Sequence, residues 1–155
     1  MKTFSLKGLS LLAVLSCGFA PTAVHAQSFL GTWVRKADPS VGGGMNMTVE
    51  VCCSGGRRIS YRIPGNDAFL MSIETHLDGT DAPLLIGGKP SGETMAIKRL
   101  DDRHATTVLK MNGKTFGTSK AEVSADGKTL NIENEFTSAE GGRPPGRYPE
   151  VWVRK

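Results

Sequence analysis

Phe29-Leu30-Gly31-Thr32-Trp33 and Val151-Trp152-Val153-Arg154-Lys155 are the two stretches whose reading decides the fold. Each is short, rich in β-branched and aromatic residues, and bounded by polar or glycine-containing sequence, so each reads as a strand. A Gly-x-Trp opening strand and a Trp/Arg closing strand predict a sheet whose first and last members meet.

The sequence between them is built of strand and turn signals. Strands are expected at 30–36, 45–53, 58–63, 69–77, 93–100, 103–111, 114–124, 129–137 and 148–154. The clearest alternation places Phe69, Met71, Ile73, Thr75 and Leu77 on one face and Leu70, Ser72, Glu74, His76 and Asp78 on the other, the pattern of a half-buried strand. Asp78-Gly79, Asn112-Gly113 and Asp126-Gly127 are hairpin dipeptides, and Asn112-Gly113 is the strongest of them because both positions must adopt positive φ. Pro64-Gly65-Asn66-Asp67 reads as a stop between strands, and 41–44 and 141–146 read as glycine-rich rim loops. No segment carries a 3.6-residue period. A run of hairpins must hide its edges, and closure does that most simply. The expected fold class is therefore all-β, an antiparallel up-and-down meander closed into a barrel of about 8–10 strands.

Residues 1–26 read as a signal peptide. Lys2 and Lys7 form a basic start, an apolar run follows from Leu9 to Ala20, and Ala23-Val24-His25-Ala26 supplies small residues before a cut ahead of Gln27. The apolar run is too short to span a bilayer. Leu15-Ser16-Cys17 offers a rival lipoprotein site at Cys17, but the apolar run continues past it. Residues 27–155 then form a single β-barrel domain, exported to the periplasm or secreted, with no transmembrane segment. Without Lys2 and Lys7 the formal charge of +4 falls to +2, too small and too evenly spread for nucleic acid. Cys52 and Cys53 remain. Side chains of neighbouring strand residues point to opposite faces, and ordinary disulfides hold their Cα atoms well apart, so two separate thiols are expected rather than a redox pair.

Gly31-Thr32-Trp33, the meander, and the aromatic and arginine of the last strand resemble the calycin group, which comprises lipocalins and fatty-acid-binding-type barrels. Three further segments resemble a set of small exported bacterial lipocalin-like proteins: Leu77-Asp78-Gly79-Thr80-Asp81-Ala82-Pro83 with Ile86-Gly87, Met95-Ala96-Ile97-Lys98-Arg99-Leu100-Asp101, and Ser124-Ala125-Asp126-Gly127-Lys128-Thr129-Leu130. The resemblance implies a lipocalin-like barrel closed at one end by Trp33 packed against Arg154. An indole face accepts a guanidinium, which gives that pair a physical basis. Fatty-acid-binding barrels hold a ligand carboxylate with Arg-x-Tyr on the last strand. The matching positions here are Glu150-Val151-Trp152, so an acid stands where the base belongs. That departure argues against a fatty carboxylate held in the usual way and for a neutral ligand or another site.

Catalytic chemistry finds little footing. His76 falls on the polar face of its strand and His104 just after a turn; neither has metal-ligand spacing, and no metal or cofactor is expected. No nucleophile elbow, zinc-protease motif or phosphate loop occurs, and Asp101-Asp102 reads as a turn. Met47, Met71, Met95 and Met111 each fall in a strand, and Met suits both adaptable pockets and ordinary cores. Met71, Ile73, Met95, Ile97, Phe116 and Phe136 are the candidate barrel-interior ligand contacts. Arg143, Arg147 and Tyr148 form a second candidate, a surface patch on a Pro/Gly loop. A small barrel either holds one small ligand or is filled by its own side chains. Two readings therefore stay open: an exported binding protein for a small apolar ligand, and a filled scaffold that meets a protein partner in the periplasm.

Overall fold

A computed structural model describes residues 29–36 and 44–155. The expected signal peptide, Cys17, the Gln27 start and most of the 37–44 loop lie outside the described residues. Ten antiparallel strands follow in chain order: β1 (Gly31–Arg35), β2 (Asn46–Cys52), β3 (Gly56–Ile63), β4 (Asn66–Thr75), β5 (Asp78–Ile86), β6 (Lys89–Arg99), β7 (His104–Met111), β8 (Lys114–Val123), β9 (Thr129–Phe136) and β10 (Gly146–Arg154). Each pairs with its sequence neighbours, and β1 also pairs with β10, so the sheet closes into a barrel. Trp33 stands opposite Arg154 on one side and Met47 on the other. The fold is the all-β, antiparallel up-and-down meander closed into a barrel that the sequence predicts, with ten strands at the upper end of the expected 8–10.

Two elements differ from the sequence reading. Asp78–Ile86 is a full strand, although Asp78-Gly79 reads as a hairpin turn and the expected strands leave 78–92 empty. Its burial explains this: only Ala82 and Leu84 point fully inward, so the segment carries almost no apolar pattern. β4 begins at Asn66, inside the expected stop, and the bend is confined to a register shift at Arg62/Ile63. The hairpin at Asn112-Gly113 has the expected positive φ at both residues, 50° and 82°.

Cys52 and Cys53 correct a third expectation. They are joined by a disulfide, with their Cα atoms 3.8 Å apart. Strand alternation ends at Cys52, and Cys53 enters a short 3₁₀ turn at φ 38°, which frees its side chain to swing toward its neighbour.

One end of the barrel is closed. Trp33 and Trp152 are fully buried within a core that includes Met47, Ile73, Val123 and Leu130. The Arg154 guanidinium lies over the Trp33 ring, 4.1 Å from its centroid. Its Nε donates to the Gly127 carbonyl at 2.7 Å and its Nη1 to the Leu30 carbonyl, while Trp33 Nε1 donates to the Phe29 carbonyl at 2.9 Å. The cation thus satisfies carbonyls where strands end, and burial lowers its pKa from the ordinary arginine value.

Candidate functional site

The other half of the barrel is open inside. Strand alternation carries one side chain in two inward, and above the core these side chains leave a cavity of ≈ 270 Å³. The strand reading from Trp33 brings Arg35 inward, that from Trp152 brings Glu150, and that from Ile97 brings Met95 and Glu93. Because every strand contributes by the same rule, the lining is layered. Away from the mouth the lining is apolar, with Val49, Ile59, Ile97 and Leu130 among its members.

The layer toward the mouth is polar. Arg35 and Glu150 form an ion pair at 3.5 Å, both largely buried. Trp152 Nε1 donates to the second Glu150 oxygen at 3.1 Å. Ser119 donates to Asn134 Oδ1 at 2.6 Å, and Asn134 Nδ2 donates to the Tyr148 carbonyl at 3.1 Å. Tyr61 stands edge-on to Trp152, ring centroids 6.2 Å apart. Burial first, then the charges of Glu150 and Glu93, raise the Tyr61 pKa, so its hydroxyl stays a neutral donor. Burial also raises the Glu93 pKa, and among the described residues no hydrogen bond or ion pair meets its carboxylate. At the rim Arg143 lies over Tyr148 at 5.5 Å, and Phe136 lies between Phe116 and Tyr148 at 6.0 and 5.4 Å.

Of the interior residues expected from sequence, Met71, Met95, Ile97, Phe116 and Phe136 line this cavity. Ile73 does not; it is fully buried in the core below. Of the methionines, Met47 also lines the cavity and Met111 does not, whereas Met45, not singled out by the sequence reading, joins the lining. Arg143 and Tyr148 meet as the surface-patch reading requires, but Arg143 faces the cavity mouth, whereas Arg147 is exposed on the outer wall near Glu135 at 3.9 Å. His104 is a surface residue held by Asp101 at 2.8 Å, and His76 is exposed. The residues that sequence reasoning missed are Arg35, Tyr61, Glu93 and Asn134. The signal was present, because period-2 counting from Trp33 or Ile97 turns Arg35 and Glu93 inward.

The base missing from the last strand is supplied from the first. Arg35 meets Glu150 across the β1–β10 closure, and the pair is internally neutral. A ligand carboxylate there would displace Glu150 from its only cationic contact among the described residues and leave two acids, Glu93 and Glu150, in the same interior.

No family model matches this chain, and comparison with curated proteins gives no match. Among solved structures the chain is similar to the fluorescent protein UnaG. The wild-type crystal structure aligns with a TM-score of 0.56 at 12% identity, over 82% of this chain and 97% of that one. A point mutant of the same protein aligns with a TM-score of 0.57 at 12% identity, over 82% of this chain and 96% of that one. At that identity the likeness establishes the fold, a closed antiparallel β-barrel, and nothing finer.

Proposed function

We propose that this chain is an exported binding protein that holds one small, electrically neutral, largely apolar molecule inside its barrel and catalyses no reaction on it. The observation that carries the proposal is the ≈ 270 Å³ interior with an apolar floor and a polar, charge-balanced mouth. It exceeds the roughly 150 Å³ cavity that takes up benzene. Few convergent polar groups over apolar walls are the usual makeup of a small-molecule site. Tyr61, Ser119 and Asn134 offer donors and acceptors to a polar end without demanding a net charge. A filled scaffold would leave no such interior, which favours the binding reading over the interaction module. UnaG, which shares the fold, is by its description a fluorescent protein. In this reading residues 1–26 are removed on export and 27–155 form the single working domain.

An apolar fluorescent probe titrated into purified protein tests the proposal, together with native mass spectrometry of material from its own host. The expected result is saturable binding at one site, weakened at least tenfold by Ala121→Phe, whose added ring occupies the interior. No probe binding and no co-purifying molecule in repeated preparations would overturn it.

A further inference from the structure

Outside the barrel, at its closed end, lies a second cluster that the binding reading does not use. Cys52 ends β2, Cys53 begins the turn, and Glu74 stands on the neighbouring part of β4, two strands away. The two sulfurs and a Glu74 carboxylate oxygen all lie within 4.8 Å of one another. Cys53 and Glu74 are exposed and Cys52 is half-buried, so solutes reach the group. Arg58 holds Glu74 through Oε1 at 2.7 and 2.9 Å, and among the described residues no hydrogen bond engages Oε2. Arg57 clasps the turn itself, donating to the Gly55 and Gly56 carbonyls at 2.9 and 3.0 Å. The frame that carries the sulfurs is thus fixed independently of the disulfide.

We propose that this cluster is a redox-gated site for a thiophilic divalent cation, with Cys52, Cys53 and Glu74 as its ligands. In the oxidised protein each sulfur is spent on the other and the site is closed. A dithiol reductant opens it: one thiolate attacks a sulfur to form a mixed disulfide, and the second thiol of the reductant displaces the remaining cysteine. The protein disulfide gains two electrons and two protons, and the reductant leaves as its own disulfide. The cation then displaces both thiol protons and binds two thiolates and one carboxylate, with water completing its shell. Two sulfurs select a soft or borderline ion such as Zn²⁺ over Mg²⁺ or Ca²⁺. Charge is consistent with this, since Arg58 is shared between Glu74 and Glu50 and the two thiolates add negative charge for the ion.

The test uses the full chain in two states, as purified in air and after reduction with a small dithiol removed anaerobically. Co²⁺ serves as an optical probe of thiolate ligation and Zn²⁺ as the calorimetric one. The expected result is one equivalent bound only by reduced protein, with a thiolate-to-cobalt charge-transfer band. Cys53→Ser should abolish the band, and Glu74→Gln should keep the band but weaken Zn²⁺ binding about tenfold or more. Thermal unfolding of each variant shows that the barrel is intact, and Glu74→Gln, on the surface, leaves both cysteines available if Cys53→Ser fails to fold. Equal binding by oxidised and reduced protein, no band after reduction, or wild-type affinity in Glu74→Gln would each overturn the proposal.

Discussion

Gly31 shows how much of this barrel rests on single residues. It sits at φ 120°, and a Cβ there would lie 2.7 Å from Arg154 Nη1. Only a residue without a side chain lets the guanidinium cross the strand to reach the Leu30 carbonyl and still cover Trp33. Gly31→Ala is therefore expected to cost about 1–3 kcal/mol, from the unfavourable φ and the displaced cation together. Urea unfolding measures this, and an unchanged midpoint would contradict it. Glu93 acts in the opposite sense. Its folded pKa is raised by burial, so the folded state binds its proton more tightly than the unfolded chain does. Its contribution to stability accordingly falls as pH rises from the ordinary glutamate range through the raised value. Asp78, Asp101 and Asp126, held low chiefly by turn hydrogen bonds from Thr80, Arg103 and Ser124, contribute stability above the ordinary aspartate range that is lost as pH falls. Glu93→Gln should raise the melting temperature at neutral pH and flatten the profile just above pH 4 to 5, leaving the acid limb set by the aspartates. Calorimetry across pH checks it. At this scale the sequence was legible where a residue type matched its place, as with Trp33 and Arg154. It was silent on Arg35, because a charged residue on an otherwise apolar face stands out only once its partner across the closure, Glu150, is known.

Among the elements, β5 was hidden for a reason that the barrel itself explains. Its ladder to β4 is two residue pairs long, Met71 with Ile86 and Ser72 with Leu85, whereas β3 and β4 share seven. On that side β5 behaves as an edge strand, which is where a sheet tolerates Pro83 and outward acids such as Asp78 and Asp81. Sequence logic for edge strands applied, but nothing in the sequence marked an edge in the middle of a meander. The strands that were found, such as β4 and β9, owe their legibility to one buried and one solvated face. Hydrogen exchange should place the least protected strand amides between Ile73 and Leu84, where the seam parts, with β7 and β8 the most protected. Uniform protection around the barrel would contradict this.

For the whole molecule, the sequence carried the architecture but not the interior. Closure followed from the matching first and last strands, yet whether ten strands enclose a space depends on how much each inward residue fills. Ala105, Ala121 and Ser119 on neighbouring strands keep the interior open beside Met and Phe residues that could fill it. That balance is a sum over the full ring, and local patterns do not report it. The cysteine bridge was missed for a related reason: alternation was assumed one residue past the end of its strand.

The hydrogen bond from Arg154 to Leu30 joins residues 124 positions apart. In kinetic terms this makes ring closure the most non-local event in the chain, and loop-closure entropy is charged before the Trp33 cap returns anything. Hairpins from β6 to β9 can form early from local turns, while β1 waits without its second partner until β10 arrives. The lock on the closed end is therefore also the clock for folding: rate should follow the strength of the Trp33–Arg154 contact more closely than the strength of any hairpin, and a chain not yet closed carries two unpaired strand edges until that contact is made.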